Sequence, residues 1–301
     1  MMLTVRSAAL THTGMRRPAN EDSLVARPGL GLYAVCDGMG GHAAGEVASK
    51  AAADTIEAFI QHTEGANADL TWPYGYKPEL GIDGNRLISA FLLANRDIYQ
   101  RVADEPSLRG MATTGVALLL GRCEPGSPSS ECKPCVESGD RSGKGLLPAY
   151  PIPNPQSPIP AEAPLSGSAL VAHVGDSRAY LWREGVLEHI TRDHSWVEEQ
   201  IAAGALSEDE ARQHPWRNLV TRALAGAEPP DVEVTPVALE RGDRILLCSD
   251  GLTTPLTDQA IQETMNRAPK GQPEALCQAL VDAANAAGGP DNITVIVVEV
   301  Q

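Results

Sequence analysis

Four apolar runs in this 301-residue chain end on, or start from, an aspartate beside a turn. Asp37 follows "LYAVC" and precedes Gly38. Asp176 follows "LVAHVG", Asp250 follows "RILLCS" and precedes Gly251, and Asp291 precedes "NITVIVVEV". Short apolar runs bounded by turn residues read as buried strands, so each carboxylate stands where a core strand reaches its rim. Burying an unpaired carboxylate costs several kcal/mol. For any one of these sites the plain reading is a turn, since Asp-Gly is a common hairpin dipeptide. Four together call for a shared cause. A pair of divalent cations is one, because hard cations collect oxygen ligands and glycine lets a backbone carbonyl approach.

The order of elements narrows the fold. Strands are predicted at 3–10, 32–38, 113–120 and from 169 onward, then at 232–239, 243–248 and 292–300. Helices are predicted at 43–64 and 84–104, at 257–267 and 273–287, with two short ones in "HSWVEEQIAAG" and "SEDEARQH". Ser207 with Glu210 three residues on forms a capping box for the second of these. "RRPANEDS" reads as a polar loop. Strands run in consecutive pairs with helix pairs between them, and that argues for antiparallel sheets covered by helices rather than a dinucleotide-binding βαβ fold. Residues 122–168 break the pattern, with ten of the 23 prolines. Proline lacks the N–H that a ladder needs, so this segment reads as an extended insert at a hairpin tip. Six strand residues at about 3.3 Å each put that tip roughly 20 Å from the aspartates. Cys123, Cys132 and Cys135 inside it read as part of a linker, with zinc ligation as the other reading.

Composition excludes several classes. Acidic residues outnumber basic ones 39 to 24, a formal charge of −15, which disfavours nucleic acid and anionic membranes. No run approaches the roughly 18 apolar residues of a membrane span, and the first residues lack a leader pattern, so a cytoplasmic protein is expected. The cysteines are then expected reduced, with Cys36 and Cys248 as small core residues. Gly38, Gly40 and Gly41 lack the Lys-Ser/Thr of a phosphate-binding loop, which disfavours a nucleotide site.

The ordered motifs "RPANEDS", "DGMGGHAAGE", "MATTG", "GDSRAY", "TRDHS", "LCSDGL" and "DNITV" resemble the bacterial branch of the PPM-type (type 2C) metal-dependent serine/threonine protein phosphatases, over nearly the whole chain. The resemblance implies an α+β fold: a four-layer α/β/β/α sandwich of two antiparallel sheets flanked by helix pairs, with 1–301 as a single domain and 192–222 as a variable flap. It implies hydrolysis of phosphoserine and phosphothreonine with two Mn²⁺ or Mg²⁺ ions per chain. Metal ligands would be Asp37, the Gly38 carbonyl, Asp250 and Asp291. Arg17 would hold the phosphate, and Asn20, Glu21, Asp22 and Asn292 would support the ligands. Asp176 would hold a weak third metal, weak because Thr254 stands where relatives often carry an aspartate. His42 is expected to start a helix. The implied partners are a phosphoprotein substrate and a cognate Ser/Thr kinase, and the protein is expected to be a monomer. The alternative function is a catalytically weak phosphatase-like sensor of phosphoproteins.

Overall fold

The computed structural model describes residues 3–40, 44–65, 71–122, 165–226 and 228–301. In chain order the strands and helices are β1 (Val5–His12), β2 (Asp22–Arg27), β3 (Leu32–Met39), α1 (Ala44–His62), α2 (Gly81–Asp104), β4 (Ala112–Thr113), β5 (Gly115–Arg122) and β6 (Leu165–Val174). They continue with β7 (Arg178–Arg183), β8 (Val186–His189), α3 (Trp196–Ala202), α4 (Glu208–Gln213), β9 (Glu233–Ala238), β10 (Arg244–Cys248), α5 (Asp250–Thr253), α6 (Asp258–Arg267), α7 (Pro273–Ala286) and β11 (Ile293–Val300).

Two antiparallel sheets result. One has the order β2-β3-β5-β6-β9, with β4 beside β3; the other is β1-β11-β10-β7-β8. The near-continuous apolar strands are explained by three apolar layers. In β3, Tyr33 and Val35 face the other sheet, while Leu32, Ala34 and Cys36 face α1 and α2. In β10, Ile245 and Leu247 join the layer between the sheets, and Leu246 and Cys248 meet α6 and α7. Side chains alternate with period two, so a strand buried on both faces needs apolar residues at every position. On α1, Ala48, Ala51 and Ala52 are buried beside Ile56 and Ile60; the alanines let the helix lie close to the sheet. The four-layer sandwich that the resemblance implies is the architecture found. Cys36 and Cys248 are free, buried core residues, as expected.

The structure adds three details to the sequence reading. The polar stretch ends in a strand, β2, paired with β3 from Asp22↔Asp37 to Arg27↔Leu32. An edge strand with one fully buried apolar residue, Val25, shows little pattern in the sequence. The turn "VGDS" joins two sheets: β6 belongs to one and β7 to the other, so Asp176 sits at the crossing between them. The expected β5–β6 hairpin forms, from Gly115↔Val174 to Arg122↔Leu165, so β6 starts inside the segment read as insert. Cys123, Cys132, Cys135 and His42 lie outside the described residues. No described helix is long and apolar enough to cross a membrane.

Candidate active site

Asp37 lies near the end of β3, opposite Asp22 on β2. The strand end is pinned by hydroxyls and amides: Thr113 Oγ1 and the Thr114 N–H both donate to Asp37 O, at 2.8 and 2.9 Å. Asp250 is the first residue of α5, directly after β10. Asp291 precedes β11. These strands belong to both sheets, so the sandwich brings the carboxylates together at one end.

Electrostatics mark the basin. Burial pushes Asp37 well above the ordinary carboxylate value, and Asp22, Asp250, Asp176 and Asp291 repel its charge further. Burial likewise raises Asp22 and Asp176 to about 7 and Asp250 to about 6. Asp22 Oδ2 accepts from Ser249 Oγ and Thr294 Oγ1 at 2.8 and 2.6 Å, while its buried Oδ1 has no partner. Burial also raises Glu21. Arg17 Nη2 lies 2.6 Å from Asp291 Oδ2; its partner in the structure is a carboxylate of the basin.

The supporting residues divide by role. Asn292 is a clamp: its Oδ1 accepts from the Glu21 N–H, and its Nδ2 donates to Thr13 O and Ala19 O. That ties the loop carrying Arg17 to the start of β11. Asn20 Oδ1 accepts from the Asp22 N–H at 3.1 Å, and its Nδ2 donates to Thr11 Oγ1. Gly38 is needed for close packing, since a Cβ there would stand 2.1 Å from Gly45 O and 2.5 Å from Glu21 O. The sequence reading missed the hydroxyls of Thr113, Thr114, Ser249 and Thr294. Their signal was polar residues at the ends of apolar runs, next to the aspartates.

The residues fit a divalent-cation site. Raised, mutually repelling carboxylates and an orphaned buried oxygen are oxygen donors short of positive charge, the chemistry that a hard cation satisfies. Beside the basin runs a cleft of about 790 Å³, lined by Asp176, Asp250 and Thr254 and roofed by flap residues including Ser195, Val197 and Arg217. The flap's short helices form as expected, α4 with its Ser207–Glu210 capping box.

Known proteins align along this frame. Protein phosphatase PhpP of Streptococcus pneumoniae (serotype 2, strain D39) is 30% identical over 295 residues, covering 96% of this chain and 95% of its own length. The chain belongs to the PPM-type serine/threonine phosphatase family. Serine/threonine protein phosphatase PstP of Mycobacterium tuberculosis is 35% identical over 99% of the chain, and the chain spans 45% of that relative's length. A crystal structure of the PstP catalytic domain in complex with two manganese ions superposes with a TM-score of 0.68 at 31% identity, covering 99% of both chains. The model of the family Stage II sporulation protein E matches residues 208–301.

Proposed function

We propose that this chain removes phosphate from phosphoserine and phosphothreonine in proteins, with two divalent cations, Mn²⁺ or Mg²⁺, held by Asp37, the Gly38 carbonyl, Asp250 and Asp291. The observation that carries this reading is the basin itself: buried carboxylates from both sheets, lifted by burial and mutual repulsion, in a member of this family. A bound cation pair would supply Lewis-acid charge at the phosphoryl oxygens and acidify water near neutral pH. The chain's own residues do the rest. Arg17, half-exposed at the rim, swings its planar fork from Asp291 to the substrate phosphate, a geometry that suits two oxygens at once. Glu21 and Asp22 orient groups at the basin floor by accepting hydrogen bonds. Asn292 keeps the Arg17 loop in register with β11. Asp176, with Thr254 in place of a second carboxylate nearby, offers at most a weak third site. Phosphoprotein substrates imply an opposing Ser/Thr kinase, and we take the protein to act as a cytoplasmic monomer.

The test is hydrolysis of p-nitrophenyl phosphate and of a phosphothreonine peptide, with Mn²⁺ and with chelator. Release of phosphate only with metal is expected. Undiminished hydrolysis in chelator would sink the reading.

A further inference from the structure

The turn carrying Asp176 is held from the flap side by one residue. The His194 N–H donates to Gly175 O at 2.9 Å, and its ring Nδ1 accepts from the Gly175 N–H at 3.1 Å. Gly175 has a left-handed φ of +108° and presses on Thr114, whose side chain a Cβ there would meet at 2.6 Å. Thr114 Oγ1 in turn bonds Ser177 Oγ at 2.7 Å. Asp176 therefore sits between two residues fixed from opposite sides.

The His194 tautomer follows from these bonds. Burial lowers its pKa, so the ring is neutral and carries one hydrogen. Nδ1 accepts, so that hydrogen is on Nε2, 3.0 Å from Glu233 Oε1. Arg222 Nη1 donates to the same oxygen at 3.1 Å. Glu233 begins β9 directly opposite His173, and the His173 ring stacks on His194 with centroids 4.5 Å apart.

His173, His194 and Glu233 place one potential ligand atom each within 4.8 Å of the others, and His173 Nδ1 is buried without a partner. The bonds nonetheless work against a cation there. A metal at His194 Nε2 would have to break the Gly175 bond or leave an imidazolate, and Arg222 already brings positive charge to Glu233. The arrangement is instead that of a carboxylate fixing the angle of a histidine, as outer partners of functional histidines do.

We propose that Glu233 is a positioning residue that acts through His194 to hold the Gly175–Asp176 turn, and with it the Asp176 carboxylate, at the cleft shared with Asp250. The activity consequence rests on the phosphatase reading; the structural consequence does not. Glu233→Ala and Glu233→Gln in the whole chain test it. Glutamine keeps an oxygen for the His194 Nε2–H, and alanine does not. Imidazole ¹⁵N–¹H spectra should show the His194 Nε2–H protected from solvent exchange in the parent and Glu233→Gln, and lose that protection in Glu233→Ala. Hydrogen exchange at the Gly175 amide should accelerate about tenfold or more in Glu233→Ala, as local opening becomes easier. With Mn²⁺, kcat for p-nitrophenyl phosphate should fall about tenfold in Glu233→Ala with KM little changed, and recover in Glu233→Gln, in line with losses seen for outer-shell partners. The Glu233 side chain is 44% exposed, so truncation does not hollow the core. Glu233→Val, which favours a strand and offers no acceptor, repeats the test should the alanine variant fold poorly. Unchanged protection of the His194 Nε2–H and unchanged Gly175 exchange in Glu233→Ala overturn the proposal. So does stoichiometric Zn²⁺ binding by the parent that shifts the His173 and His194 resonances, which would make the trio a metal site. A parent inactive on every phosphoester would defeat the phosphatase reading, while the spectra and the exchange rates still decide this one.

Discussion

The basin aspartates and Asp258, on the two sides of the Arg178 strand end, hold their protons in opposite ways. In the basin, burial first and neighbouring carboxylates second raise Asp22 and Asp176 to about 7 and Asp250 to about 6. Across the turn, Asp258 is held down at about 2, chiefly by the hydrogen bond from His189 Nε2 at 2.9 Å, helped by Tyr180 and Arg178. Beside it, Asp193 takes both arms of the Arg178 fork, at 2.8 and 2.7 Å. One group is neutralised by the protein. The other is assembled without enough protein cations to balance it, and is stable as charged groups only when positive charge comes from outside. The difference separates a structural ion network from a cluster of carboxylates short of positive charge.

The sharpest way to break this contrast is Asp37→Asn. With Mn²⁺ present, turnover should fall by more than about a thousandfold, because on the proposed reading Asp37 is a central anionic ligand of the cation pair. The same change removes a repelling buried charge, so the metal-free variant should melt at or above the parent's temperature. Activity within tenfold of the parent would end the distinction.

A second, smaller effect is the pH dependence of the metal-free protein. Carboxyls whose pKa is raised on folding bind more protons in the native state than in the unfolded one, so stability falls as pH rises from the unfolded values near 4 through the folded values near 6 to 7. In chelator, the thermal midpoint should drop between pH 5 and pH 8, and Mn²⁺ should flatten that slope. A midpoint that climbs over this range contradicts the raised values.

The smallest effect is expected across the turn. Asp258→Asn removes a half-exposed partner of His189 and should cost about 1 kcal/mol or less at pH 7, read by denaturant unfolding. The Mn²⁺ concentration needed for full activity should not move. A shift in that requirement would show that the two groups are coupled through Arg178.

Much of this was legible beforehand because the information was local. "LYAVC" and "RILLC" are apolar at every position, which only a strand covered on both faces requires, and the helix pairs between them supplied the covers. The aspartates stood out because carboxylates are rare at the rims of such strands. Strand β2 was not legible, since an edge strand needs one good face and "DSLVAR" advertises little. Nor was the clamp role of Asn292, whose partners at Thr13, Ala19 and Glu21 lie more than 270 positions away.

By itself the sequence determined most element types, antiparallel sheets covered by helices and which carboxylates stand near strand ends, because side-chain period and turn chemistry act over a few residues. Only the tertiary structure decided how those ends face one another. The crossing of β6 and β7 between sheets, the pairing of Arg17 with Asp291, the unpartnered Asp22 oxygen and the line from Glu233 through His194 to Gly175 all depend on distances between chain segments far apart in sequence. Hydrogen bonds and Coulomb forces are set by those distances, and no local pattern encodes them.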